Sequence, residues 1–253
     1  MTVLACINDS LASLIAQRRL QPVFQPIVDT HRGHLLGHEA LIRGPAGHRL
    51  EFPAALFDEA RQTGLLSELD LACREAAMQA YCRLQMQGLL FINVNPNVLL
   101  DKQHPRGCTR RMAQTLGIPA SRIVIELSEQ YPILNPDDLQ QAVQRYREAG
   151  FQIAIDDLGS GYAGLKLWYE VQPDFVKIDR YFIDGIDQDP VKQAFVRSII
   201  HLARDMRCGI IAEGIETGGE LSRLQGMGIH HCQGYYLGRP QAIPRSETAP
   251  CPK

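Results

Sequence analysis

Apolar positions recur along the chain with two periods, one helical and one alternating, and their succession outlines the fold. Near the N-terminus Leu4, Ile7, Leu11, Leu14 and Ile15 fall at helical spacing, and Arg18 and Arg19 follow where the negative end of a helix dipole favours cations. "PVFQPIVD" (22–29) and "LLGHEALIR" (35–43) read as two strands joined by the polar turn "THRG", an antiparallel pair. Thereafter helix alternates with strand. Helical stretches between 54 and 84 lead to "LLFINVN", one near 105–117 leads to "RIVIEL", and one near 137–149 leads to "FQIAIDD". "FVKID", "CGIIAEG" and "IHHCQGY" follow, with helical segments before the last two. The helix from Pro136 to Ala149 is the best marked, with Asn135 as N-cap, proline in its first position, Asp137 and Asp138 in its first turn and Gly150 just past its end.

Eight strand-like runs that mostly alternate with helices predict an α/β fold and fit a closed barrel of the TIM type better than an open sheet, the alternative that pattern alone leaves. No shift in composition divides the chain, so residues 1–245 are expected to form one domain. The proline-rich segment after Pro240, "QAIPRSETAPCPK", reads as a linker or frayed end, with 246–253 as tail.

Composition narrows the function. A hydrophobic content of 45% and a charged content of 21% suit a globular protein with a large core. With 26 basic and 28 acidic residues the net charge is −2, so no overall basic field calls for duplex nucleic acid, and a phosphate-bearing partner must be held locally. Seven cysteines with no C-x-x-C pair predict reduced thiols and a cytoplasmic setting. The N-terminus does not read as a signal peptide, and no apolar run is long enough for a membrane span.

The C-terminal ends of the predicted strands carry Glu39, Asn93, Glu126, Asp156 with Asp157, Lys177, Glu213 and Gln233. In a parallel barrel such ends converge on one mouth, where active sites are built. Five carboxylates in one place require protonation or cations. Oxygen donors without a His or Cys set favour Mg²⁺ or Mn²⁺, and the inventory suits a two-metal site for in-line attack on a phosphoester. The glycines 159, 161 and 164 after "FQIAIDDL" spell G-x-G-x-x-G, with Asp179 twenty residues past the first, but Asp156 and Asp157 beside that turn would repel a dinucleotide's pyrophosphate. The glycines are therefore expected to shape a flexible loop over the site. His38 lacks the second histidine of a zinc-protease motif, His230 and His231 are expected to flank the last strand, Tyr235 and Tyr236 to pack at the barrel rim, and Trp168 to pack in a helix.

These residues belong to longer motifs: "FQPIV", "EALIR", "NVNP", "IELSE", "DDLGSGY", "VKID", "AEGIET" and "QGYYLGRP". In their order and spacing, from about Gln21 to Pro240, the chain resembles the EAL-domain cyclic-di-GMP phosphodiesterases of bacteria. The resemblance implies a TIM-type (β/α)8-like barrel with an antiparallel first strand, and hydrolysis of cyclic di-GMP to linear pGpG. It implies Glu39, Asn93, Glu126, Asp156, Asp157 and Glu213 as metal ligands for Mg²⁺ or Mn²⁺, with Lys177 orienting the attacking water and Glu39 and Glu213 sharing in catalysis. Gln25, Leu41, Arg43, Gln233 and Pro240 are similar to substrate contacts, and Asp179 and Glu216 to residues just behind the metals. Glu129 resembles an anchor of the loop after Asp157, through which the family links metal binding to a dimer interface, so a homodimer is expected. Sensor or regulatory domains are expected outside this chain. A catalytically inactive cyclic-di-GMP receptor is the alternative. Two positions depart from the family pattern, Leu158 where phenylalanine is usual and Gly44 where an aromatic often stands.

Overall fold

The structure, a computed structural model, describes residues 9–100, 105–128, 136–159 and 164–244. The chain opens with a short helix, α1 (Leu11–Ala16), whose N-terminus is capped by the Ser10 side chain. Strands β1 (Gln21–Asp29) and β2 (His34–Arg43) form the expected antiparallel hairpin. Its turn is held by Asp29, whose carboxylate accepts the backbone N–H groups of His31 and Arg32.

Helices α2 (Pro53–Thr63) and α3 (Leu66–Arg83) divide at Gly64, which takes φ 73°. Such a left-handed residue ends a helix at little cost only as glycine. Then follow β3 (Leu89–Asn93), α4 (Pro96–Leu100), α5 (Cys108–Leu116), β4 (Ile123–Ser128), α6 (Pro136–Glu148), β5 (Gln152–Leu158), α7 (Gly164–Val171), β6 (Phe175–Ile178), α8 (Arg180–Ile183), α9 (Pro190–Asp205), β7 (Gly209–Ala212), α10 (Gly218–Gly226) and β8 (His231–Cys232). The strands close a barrel in sequence order. β1 runs antiparallel to both β2 and β8, while β2 to β8 are parallel.

The period-two alternation of the strands sorts their apolar residues into two layers. Ile27, Phe91, Val124, Ala154 and Ile211 fill the barrel interior. Their neighbours Leu90, Ile92, Ile125, Ile153 and Ile155 face outward onto helices through Leu139, Val143, Leu167 and Trp168. A second outer cluster joins Ile178, Ala212 and Cys232 to Val196, Leu221 and Leu224. The interior layer seals the barrel, so chemistry is confined to its ends.

Several elements differ from the sequence reading. The helices α4 and α8 were not named from the sequence, because each is only four or five residues long, whereas α7 was expected only as a helix around Trp168 and without bounds. Gly164 starts α7 instead of lying in a loop, and Trp168 in that helix is 1% exposed, the helix packing expected of it. β8 is only two residues long, since "IHHCQGY" turns away at Gln233. Gln241 forms an isolated antiparallel bridge with Phe24, so the chain is still tied to β1 just past Pro240, where a linker or frayed end was expected to begin. Leu4, Ile7, Glu129, Asn135 and Gly161 lie outside the described residues.

Candidate functional site

Parallel order puts the C-terminal ends of β2 to β8 on one rim, and the polar residues named from the sequence converge there. Lys177, from β6, is fully buried at their centre. Its Nζ lies 3.1 Å from Glu39, 2.8 Å from Glu126, 2.9 Å from Asp156 and 2.8 Å from Glu213, carboxylates from β2, β4, β5 and the residue after β7. Asn93, at the end of β3, donates through Nδ2 to Glu39 (3.1 Å) and Glu126 (3.2 Å). Gln233, just past β8, donates to Glu39 Oε2 at 2.7 Å and to Gln25 Oε1 at 3.2 Å, and Gln25 donates onward to the Gly238 carbonyl. Glu39 is thus clamped by three donors from three strands' ends.

Asp156 and Asp157 are adjacent in β5, and adjacent strand residues point to opposite faces. The structure resolves the conflict with a bulge. Between Ile155 and Leu158, β5 advances three residues while β6 advances two, from Val176 to Ile178. Asp157 takes φ 58°, an uncommon conformation for a residue with a side chain. One oxygen of Asp157 thereby joins oxygens of Asp156 and Glu213 in a set lying within 4.8 Å of one another, and Ser128 Oγ donates to it at 3.3 Å.

Five carboxylates gather here, four of them paired with one ammonium. Burial is the largest influence on each: it pushes Glu126, Asp156 and Glu213 toward the protonated form, and neighbouring carboxylates add to that push while Lys177 opposes it. Asp157 is pushed up to about 6 by burial and by Asp156. Glu39 goes the other way, because Lys177 and the amides of Gln233 and Asn93 outweigh its burial. Burial would lower Lys177, but the four carboxylates hold its pKa well above the usual value. Among the described residues, buried Glu126 Oε1 and Asp156 Oδ1 have the Lys177 ammonium at 2.8 and 2.9 Å and no aligned side-chain donor besides it. Buried polar atoms left in this way call for a cation or water. Two oxygen triads sharing Asp156, namely Glu39, Glu126, Asp156 and Asp156, Asp157, Glu213, fit hard divalent ions such as Mg²⁺ or Mn²⁺.

A cavity of about 300 Å³ opens beside the triads, lined by Glu39, Leu41, Asn93, Ser128, Asp156 and Asp157 among others. Arg43 Nη1 donates to the Ile42 carbonyl at 2.7 Å, and Pro240 flanks the Phe24–Gln241 bridge. Asp179 caps α8, accepting from Tyr181 N at 2.8 Å, and Glu216 pairs with Arg180 at 2.9 Å. Tyr235 and Tyr236 are exposed instead of packed, with the Arg239 guanidinium 4.2 Å over the Tyr235 ring. The sequence reading passed over Asp70, which lines the same cavity from α3. Asp70 is 2% exposed, accepts from Asn95 N at 3.0 Å and forms an ion pair with fully buried Arg74. An acid and an arginine four residues apart on the face that also carries Ala77 and Tyr81 were the available signal. Gly44, one departure from the family pattern, lies so close to the Leu50 carbonyl that a Cβ there would sit 2.1 Å from its oxygen. Leu158, the other, is 4% exposed and packs in the outer core.

Comparison with known proteins agrees with this geometry. The EAL domain family matches residues 8–240. The probable cyclic di-GMP phosphodiesterase PdeB of Escherichia coli is 31% identical over 242 residues, covering 94% of this chain and 45% of the relative. The cyclic di-GMP phosphodiesterase PdeF of the same organism is 32% identical over 81% of this chain and 28% of its own length. The chain thus spans less than half the length of these curated relatives. Among solved structures, a standalone EAL protein from Vibrio cholerae in its c-di-GMP bound form superposes with a TM-score of 0.81 at 29% identity, covering 91% of this chain and 95% of that one. Klebsiella pneumoniae BlrP1, in a manganese and c-di-GMP complex, gives 0.81 at 31% identity over 88% of this chain and 56% of that one. With the barrel, the carboxylate-lined mouth and a match over nearly its whole length, the chain belongs to the EAL domain family.

Proposed function

We propose that this protein hydrolyses cyclic di-GMP to linear pGpG at the carboxylate mouth, with two Mg²⁺ or Mn²⁺ ions. The observation that carries the reading is the pair of oxygen triads sharing Asp156 around the Lys177 ammonium, beside a cavity. Glu39, Asn93, Glu126 and Asp156 would hold one ion, and Asp156, Asp157 and Glu213 the other. Such ions, when bound, offset the carboxylate charge, polarise a phosphoryl oxygen and activate water for attack. The protein's own residues supply position and charge. Gln233 and Asn93 fix the Glu39 carboxylate, and the bulge at Asp157 aims two adjacent aspartates at one point. Lys177 places a fixed cation where negative charge develops and orients the attacking water. Leu41, Gln25, Arg43, Gln233 and Pro240 form the substrate surface, on which the Arg43 fork suits a phosphate or a guanine edge. Asp179 and Glu216 would support the ligands from behind; Glu129, outside the described residues, keeps the role that the family resemblance implies. Reduced thiols and the lack of any helix long and apolar enough to cross a membrane among the described residues suit a cytoplasmic enzyme. A homodimer, with sensory domains outside this chain, completes the reading.

The test is to incubate purified protein with cyclic di-GMP and Mg²⁺ or Mn²⁺ and to separate the products. Metal-dependent pGpG is expected and should vanish with EDTA. Binding without product under either ion would identify a receptor instead.

A further inference from the structure

At the end of the barrel opposite the mouth, imidazoles crowd around one buried carboxylate. Asp29, the last residue of β1, is registered with His34 of β2 on one side and His231 of β8 on the other. Its side chain is 9% exposed, and its Oδ2 lies 3.9 Å from His34 Nδ1 and 3.9 Å from His231 Nε2. Its Oδ1 accepts the turn N–H groups of His31 and Arg32. His230 stands next to this group, its ring tilted against that of His31 with centroids 4.9 Å apart. Among the described residues, His230 Nδ1 is buried without a hydrogen-bond partner. Phe175, from the interior layer, stands edge-on to His231 at 6.5 Å.

This crowd sits on the seam that closes the barrel. β8 holds to β1 through two registered pairs and to β7 through two more. Thr30 prolongs the seam, donating from its backbone N at 2.8 Å and from Oγ1 at 3.0 Å to the His230 carbonyl. We propose that Asp29, His31, Arg32, His34, His230 and His231 form an acid-sensitive latch, in which protonation of the imidazoles loosens β8 from β1. A single carboxylate faces Arg32 and four imidazoles, so each proton taken up adds a cation that Asp29 alone must balance. Burial lowers the pKa of His231, Asp29 opposes this, and His230, His34 and Arg32 lower it further. Burial raises that of Asp29, but the turn donors, His231 and His34 outweigh it, so Asp29 stays ionised. A histidine whose pKa is depressed in the folded state takes its proton first where the fold opens. Its contribution is therefore intact above about pH 6.5 and is lost as pH falls from there toward the folded pKa. The latch also reaches the mouth, because the residue after β8 is Gln233, which donates to Glu39 at 2.7 Å.

The test follows amide hydrogen exchange and imidazole titration by NMR between pH 7.5 and 5.5 in saturating Mg²⁺. His231 should titrate below about 6.5. After correction for the intrinsic rate, the N–H groups of Thr30 and Gln233 should lose protection by at least about threefold across this range. H231Q keeps the mouth, so the difference from the parent cancels the mouth's own titration, and the acid response at both amides should be absent from it. H34Q, a change at an exposed position, removes one neighbouring cation and should lessen the response even where H231Q folds poorly. H201Q, on α9, should respond as the parent does. A His231 that titrates above about 6.5, protection in the parent that does not change with pH, an undiminished response in H231Q and H34Q, or an equal loss of response in H201Q would each overturn the proposal.

Discussion

Glu39 accepts from Asn93, Gln233 and Lys177 and contributes to the first oxygen triad. Glu39→Gln keeps its volume and removes its charge. Turnover should fall by at least about a hundredfold, the scale set by small errors in positioning reacting groups, while Tm shifts little. Kinetics within twofold of the parent would refute its ligand role. The buried Asp70–Arg74 pair makes a different demand. Arg74→Met would leave the buried Asp70 carboxylate without its cation and remove the donor shared by the Thr109 and Tyr146 hydroxyls, so urea unfolding should show a loss of about 3–5 kcal/mol. An unchanged midpoint would mean that the pair contributes nothing to stability.

At the scale of elements, α10 shows how a sequence signal becomes a tertiary contact. Thr217 and Glu220 form a capping box, and the nearly buried Glu220 carboxylate also accepts from Gly185 N at 2.9 Å, tying α10 to the segment after α8. Burial pushes Glu220 up, but the backbone donors at Gly185, Glu216 and Thr217 outweigh it and leave its pKa below the usual value. A carboxylate depressed in the folded state contributes stability that is present above its unfolded pKa and lost as pH falls through the folded one. The parent should therefore exceed Glu220→Gln in stability at pH 7, and the gap should shrink as pH drops below about 4.5 toward the folded pKa. Chemical denaturation across that range measures it, and a gap that does not change with pH would remove this account. The loop from Gly44 to Glu51 makes a second element-scale claim. Gly44 N donates to Glu51 O at 2.9 Å, and a Cβ at 44 would collide with the Leu50 carbonyl, so Gly44→Ala should cost about 1–3 kcal/mol. Parental stability in that variant would show that the loop yields freely. The hairpin, the alternation of strand and helix and the strand-end placement of Glu39, Asn93, Glu126, Asp156 and Glu213 were legible from the sequence, since period and strand-end position are local properties, whereas pattern alone left the closed barrel open against an open sheet. The bulge that aligns Asp156 with Asp157 and the burial of the Asp70–Arg74 pair depend on which strand or helix lies alongside. No single stretch encodes that neighbour.

The described part of the molecule is a barrel whose interior is filled by an apolar layer, with a carboxylate cluster at the mouth. The ion preference proposed for the mouth rests on oxygen donors held at strand ends. Ca²⁺, with its larger and looser coordination sphere, should support cyclic di-GMP binding but little turnover, and calorimetry beside product analysis checks this. Turnover with Ca²⁺ equal to that with Mg²⁺ would contradict the role given to geometry. The central claim is that the carboxylate mouth is a two-ion site, and anomalous diffraction from crystals grown with Mn²⁺ tests it most directly. Two manganese peaks are expected at the mouth, roughly 3.5–4 Å apart, with Asp156 between them. A mouth without manganese, its carboxylates still gathered on Lys177, would contradict the account.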